Sequence, residues 1–223
     1  MLPWEAILFD LDGTLVDTAP DLVGAVQDLA RARGLLIPEF SRLRPWASHG
    51  APGLLGAAFG VMPKDPQYPV LRASFLQIYQ QRGHRQSRLF PGMEELLGHL
   101  DREHIPWGIV TNKSVALSQE LLAQLALPYP PAVLVGGDST AAAKPSPIPV
   151  QAALELLNVK AQHCPLLGDD RRDMIAAQGA GCPAWAALWG YWQAEDPPES
   201  WEAQRLFHRP EELLSVLRSP PMS

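Results

Sequence analysis

Near its start the chain has a continuous apolar run, Ala6-Ile7-Leu8-Phe9. Such a run predicts a short strand buried on both faces rather than one with alternating sides. From Thr18 the pattern becomes helical. Leu22, Val23, Val26, Leu29 and Ala30 recur at helical spacing, with Thr18 placed to cap the helix, Pro20 in its first turn and Gly34 at its end. The stretches "APGLLGAAFG" and "YPVLRASFLQIYQQRG" also read as helices, and no strand is expected between Thr18 and Arg88. Beyond that point helices and strands alternate. Helices are expected in "PGMEELLGHLDREH", "SVALSQELLAQLAL", "PIPVQAALELLN", "DMIAAQGAG" and "PEELLSVLRS", and strands in "PWGIVT", "AVLVGG", "CPLLGD" and "AWAALW".

Alternation of this kind predicts an α/β fold, a parallel sheet covered by helices on both faces. The first strand is separated from the rest by the helical segment, which therefore reads as an insertion. The expected organisation is a core of residues 1–17 and 88–223 with an all-helical cap at 18–87. Proline-rich stretches at Tyr129-Pro130-Pro131 and Pro197-Pro198 read as loops.

Composition narrows the function classes. Of 223 residues 47% are hydrophobic, enough for a sizeable core, and the formal net charge is −6 with scattered basic residues. Binding to nucleic acid or an anionic membrane is not expected from that charge pattern. No run reaches the length of a membrane span, and the N-terminus enters the first strand without the features of a leader. The two cysteines, Cys164 and Cys182, lie in no ligand or redox motif and read as buried free thiols. A reduced, cytoplasmic setting is expected.

Polar groups collect where the predicted strands end, which is where parallel α/β sheets bind ligands. Asp10 and Asp12 follow the first strand, and Thr111, Asn112 and Lys113 follow "PWGIVT". Lys144 precedes a helix, and Asp169, Asp170 and Asp173 follow "CPLLG". Carboxylates gathered in one crevice repel one another unless a cation sits among them, and all-oxygen ligands suit Mg²⁺. Asp10, Asp169 and the backbone carbonyl of Asp12 can form such a half-shell, with Lys144 as a second positive charge. Phosphate is the substrate group that uses both. A carboxylate in line with phosphorus can act as nucleophile, and Asp10, ending the strand, is the more rigidly placed candidate. Asp12, two residues on, can reach the leaving oxygen as acid and then base. Thr111 and backbone N–H groups near Leu11 and Asn112 can hold the remaining phosphate oxygens.

The segments "DLDGTLVDT", "VTNKS", "KPSPIP" and "GDDRRD" resemble, in order and spacing, the four motifs of the haloacid dehalogenase-like hydrolases. The resemblance implies a Rossmann-like core, an inserted cap and Mg²⁺-dependent phosphoryl transfer. It implies Asp10 as nucleophile, Asp12 as acid/base, Thr111 and Lys144 on phosphate and Asp169 on the metal, with Asp173 behind Lys144 or the metal waters. The helical cap between the first two motifs is similar to the phosphoglycolate phosphatase subgroup. The segments "HSRLFPGMEELL", "GDDRRD" and "GYWQAEDPPESW" look closer to bacterial N-acetylmuramic acid 6-phosphate phosphatases. The subgroup usually has serine where this chain has Asp170, a departure that bears on the metal shell. The cap loop around Ser48 to Pro52 matches the place where relatives present substrate-facing residues, which adds His49 and Gly50 to the candidates, with Gly13 of the first motif. Arg44 and Arg85 are further cap residues within the range of a substrate.

Structural roles are expected for the rest. Asp17 reads as a helix-capping acid, Lys113 as pointing outward and Asp170 as an acid at a helix start. A loop histidine such as His49 is more often solvated. His104, His163 and His208 read as surface residues, and Trp185, Trp189, Trp192 and Trp201 as packing. The expected activity is hydrolysis of a small phosphorylated metabolite by a monomer or homodimer. A sugar phosphomutase, or a binding protein on the same fold, are the alternatives.

Overall fold

The computed structural model describes residues 4–217. Its elements run, in chain order, β1 (Ile7–Phe9), β2 (Val16–Asp17), α1 (Ala19–Ala32), α2 (Phe40–Leu43), a 3₁₀ turn (Arg44–His49), α3 (Gly50–Phe59) and α4 (Tyr68–Arg82). They continue with β3 (Arg88–Leu89), α5 (Met93–Arg102), β4 (Trp107–Val110), α6 (Val115–Leu125), β5 (Val133–Val135) and α7 (Ile148–Leu157). The last are β6 (Leu166–Gly168), α8 (Arg171–Ala180), β7 (Ala184–Ala187), β8 (Arg205–Phe207) and α9 (Glu211–Leu217). The closing helix predicted over "PEELLSVLRS" is seen as α9, and Arg218 and Ser219 of that prediction lie outside the described residues.

Six strands form one parallel sheet in the order β5-β4-β1-β6-β7-β8, with β1 near its centre. The period of two along each strand divides two cores. Ile7 and Phe9, Leu167, Trp185 and Ala187 pack on one face, while Ala6 and Leu8, Leu166, Ala184 and Ala186 pack on the other. The apolar run that opens the chain is thus buried on both sides, as its lack of alternation implies. Cys164 and Cys182 are free and buried in the second core. Trp185 and Trp201 are buried in separate cores, whereas Trp192 is exposed.

The helical insertion leaves and re-enters the core through β2 and β3, which pair antiparallel as Val16–Leu89 and Asp17–Arg88. Helices α1 and α4 pack together in the insertion, and α1 is buried along Leu22, Val23, Val26 and Leu29. Three local expectations are corrected here. Thr18 stands at the cap position of α1, but its hydroxyl donates to Asp12 Oδ1 (2.6 Å) and its oxygen accepts no N–H of the helix. Asp17 is a strand residue, not a cap. Its carboxylate accepts from the Tyr191 hydroxyl (2.5 Å), and that hydroxyl accepts the free N–H of Ala19 (2.9 Å), so a distant tyrosine satisfies the helix start. The segment from Ser48 to Pro52 is not a loop: the 3₁₀ turn ends at His49 and α3 begins at Gly50.

Candidate active site

The strand ends bring the predicted groups to one crevice at the carboxyl edge of the sheet. Asp10 directly follows β1, Thr111 follows β4, and Asp169 and Asp170 follow β6. Lys144 lies in the loop before α7 and is buried, with Nζ 2.9 Å from Asp10 Oδ1 and 2.6 Å from Asp173 Oδ1. It also donates to the Val110 carbonyl (2.6 Å). Burial alone would lower the lysine pKa, but the two carboxylates outweigh it and hold the ammonium charged.

Asp10, Asp169 and Asp173 present carboxylate oxygens that all lie within 4.8 Å of one another. Burial, then the charges of Asp10 and Asp173, push Asp169 well above the usual carboxylate range. Burial likewise raises Asp173 to about 7, although Lys144 pulls it down. Crowded, desolvated carboxylates of this kind are stable as anions once a divalent cation enters, and an all-oxygen set of this size fits a hard ion. Asp169 is held by the Thr14 hydroxyl (2.7 Å), the Ser48 hydroxyl (2.7 Å) and the Tyr191 N–H (2.8 Å). Gly13, at φ +92°, lets the chain turn against that carboxylate. A side chain there would collide with Asp169 and the Tyr191 ring.

The Asp12 carboxylate stands apart from this cluster. It is gripped by Lys113 Nζ (2.9 and 3.1 Å) and by Thr18. Lys113 therefore points inward, not outward: its side chain is 6% exposed, and its ammonium lies 5.0 Å from the Tyr79 ring centroid. Two further candidates have partners within the protein. The Gly13 N–H donates to the Val16 carbonyl (2.9 Å), and the glycine serves the turn rather than offering that N–H to a ligand. The Asn112 side chain is engaged in both directions with the Lys144 backbone (2.9 Å each), so it braces the lysine loop. The Thr111 hydroxyl oxygen accepts the Lys113 N–H (3.2 Å), which leaves its proton to donate.

Asp170 and Asp173 form a reciprocal capping box at the start of α8. Burial works against the Asp170 charge, but Arg172, bonded to both its oxygens (2.7 and 2.8 Å), keeps its pKa below the usual range. Arg172 also donates to the Ser48 carbonyl (2.9 Å), joining α8 to the inserted helices. His49 is partly buried, with Nε2 3.7 Å from Asp170 Oδ2, and burial lowers its pKa. It lies at the crevice rather than in solvent.

Between insertion and sheet lies a cavity of 470 Å³ that reaches from Asp10, Asp12, Thr111 and Lys144 to His49 and Gly50. Sequence reasoning missed its α4 wall, Arg72, Phe75, Leu76 and Tyr79. These residues recur at helical spacing, and that signal alone does not say which face meets a cavity. The two arginines singled out instead do other work or none: Arg44 packs over the Tyr191 ring (4.8 Å), and Arg85 is exposed.

Among solved structures, a predicted phosphoglycolate phosphatase from Haemophilus somnus shares the fold, with a TM-score of 0.85 at 24% identity over 97% of this chain and 99% of that one. A hydrolase from Pseudomonas syringae superposes with a TM-score of 0.74 at 28% identity, covering 96% of this chain and 97% of that one. A phosphoglycolate phosphatase from Xanthomonas campestris is 42% identical over 94% of each chain. An N-acetylmuramic acid 6-phosphate phosphatase from Pseudomonas putida is 36% identical over 96% of each. The model of the haloacid dehalogenase-like hydrolases matches residues 7–187, a span that contains every carboxylate and lysine of the crevice. The chain belongs to that family, as a phosphatase acting on the phosphoric monoester of a small metabolite.

Proposed function

We propose that the protein is a Mg²⁺-dependent phosphomonoesterase whose residues 18–87 act as a cap over a catalytic core of 1–17 and 88–223, and which works through an aspartyl-phosphate on Asp10. The observation that supports this best is the buried convergence of Asp10, Asp169 and Asp173 with Lys144 at the strand ends. In the first step an oxygen of Asp10 attacks phosphorus, and the bond from phosphorus to the leaving oxygen breaks while Asp12 gives that oxygen a proton. In the second, Asp12 takes a proton from water as the water attacks phosphorus, which frees phosphate and restores Asp10. Lys144, the Thr111 hydroxyl and the Asn112 backbone N–H hold the phosphoryl oxygens as charge builds on them. Asp10, Asp169 and the carbonyl of Asp12 would hold the magnesium ion, which when bound offsets the phosphate charge. Lys144 aims Asp10, and Asp173 keeps Lys144 in place.

The substrate is a phosphorylated carboxylic acid, as the names of the relatives from Xanthomonas campestris and Pseudomonas putida suggest. The enzyme acts in the cytoplasm, as a monomer or homodimer, without nucleic acid or membrane. Among the described residues no helix is long and apolar enough to cross a membrane. Phosphate release with Mg²⁺ across phosphoglycolate, N-acetylmuramic acid 6-phosphate, hexose phosphates and p-nitrophenyl phosphate tests the reading. Release that stops on chelation is the expected result, and inertness toward all of them refutes it.

A further inference from the structure

Helix α4 forms one wall of the cavity, and its cavity-lining residues are spaced like marks on a rule. Arg72, Phe75, Leu76 and Tyr79 stand at i, i+3, i+4 and i+7 along the helix, on one face. Tyr79 marks the inner end. It is 1% exposed and its ring lies against Lys113, the residue that grips Asp12. Its hydroxyl is buried beside the Lys113 ammonium, which can only donate to it, so the hydroxyl proton is left to donate. Arg72 marks the outer end, where it is exposed. The seven-residue step from one to the other corresponds to about 10 Å along the axis at the usual helical rise. Phe75 and Leu76 between them are apolar, and Leu117, Ala51 and Pro52 line the same cavity.

A buried hydroxyl whose proton has no acceptor is costly unless a ligand supplies one, and an exposed guanidinium at a cavity mouth is suited to a carboxylate. The leaving oxygen must lie within hydrogen-bond reach of Asp12, hence near Tyr79. A carboxylate bonded to the carbon that bears the phosphate ester sits beside that oxygen and cannot span two helical turns to Arg72. We infer that Arg72 is a specificity-determining residue, and that the substrate is a phosphorylated sugar acid whose carboxylate stands about a ring's width or more from the phosphate. The sugar ring lies against Phe75 and Leu76, one of its polar groups meets the Tyr79 hydroxyl, and Arg72 pairs with the carboxylate. A cavity of 470 Å³ agrees with a ring-sized leaving group, since sites for drug-sized ligands run from about 300 to 1,000 Å³.

The inference rests on the phosphatase reading, and three substrates separate the two. N-acetylmuramic acid 6-phosphate carries the distant carboxylate, N-acetylglucosamine 6-phosphate has the ring without it, and phosphoglycolate has the adjacent carboxylate without the ring. The wild type is expected to favour the first over each of the others by at least about tenfold in kcat/KM. Arg72→Met should reduce the preference for the first over the second by about tenfold or more, chiefly through KM, and Arg72→Lys should recover part of it. A preference that survives Arg72→Met, or a wild type that favours phosphoglycolate, overturns the inference while leaving the phosphatase reading intact. Inertness toward all three and toward p-nitrophenyl phosphate overturns both.

Discussion

Lys113 stands three residues past the last residue of β4, and the sequence alone gives no reason to turn it inward. What turns it is the pairing with Asp12, in a space closed by Tyr79 from α4. Removing one member of a buried ion pair strands the other, at a cost of about 3–5 kcal/mol. Lys113→Met should therefore lower the unfolding free energy by about 3 kcal/mol and reduce kcat, since Asp12 loses its main restraint. Equal urea unfolding curves for variant and wild type would count against that role. His84, beside the Tyr79 ring, is buried with neither ring nitrogen bonded among the described residues. Burial, aided by Lys113, holds its pKa below the usual 6.5. The unfolded chain then binds a proton that the folded one resists, so its stability contribution is complete above about pH 6.5 and is lost as pH falls below it. His84→Asn, a residue that tolerates the left-handed φ of +52°, should narrow the gap between urea midpoints measured near about pH 5 and about pH 7.5. The same drop in variant and wild type would contradict the assignment. Asp10, Thr111 and Asp169 were legible in the sequence because a strand end fixes where a residue lies, and Lys144, in the loop before α7, through its motif. Lys113, Tyr79 and Ser48 were not, because their positions depend on how the inserted helices dock.

The elements were legible in proportion to their length and burial. Strands β1, β4, β6 and β7 are fully buried apolar runs. The edge strand β8, with Arg205 and Leu206 only partly covered or exposed, carries no such run and was missed. The four-residue α2 and the 3₁₀ turn after it are too short for helical periodicity to register. That turn matters because it bears Ser48, whose hydroxyl reaches Asp169 and whose carbonyl accepts from Arg172 on α8. These bonds tie the insertion to the α8 end of the crevice. Arg172→Ala removes the donor to Ser48 and the partner of buried Asp170 together. Amide exchange over residues 44–50 should then quicken relative to the β4 and β6 amides. Unchanged protection there would show that packing, not Arg172, fixes the turn.

At the scale of the whole molecule, folding gathers carboxylates from β1, β6 and α8 that repel until a cation joins them. A ligand that binds the folded chain alone stabilises it by about 2.7 kcal/mol at a hundredfold excess over Kd. For a chain of this size that is a rise in Tm of roughly 5–10 °C. Magnesium should produce such a rise in the wild type and none in Asp169→Asn, and an equal response in both would place the ion elsewhere. The sheet and the insertion together have one chemical consequence, the presentation of Asp10 in the crevice between them. Borohydride added during turnover reduces an acyl phosphate to an alcohol, so it marks the residue that carried the phosphoryl group. Peptide mass spectrometry of the trapped wild-type enzyme should find homoserine in place of Asp10, dependent on both substrate and Mg²⁺. Reduction at Asp12 or Asp169 instead, or none at Asp10 while phosphate is being released, would contradict the account.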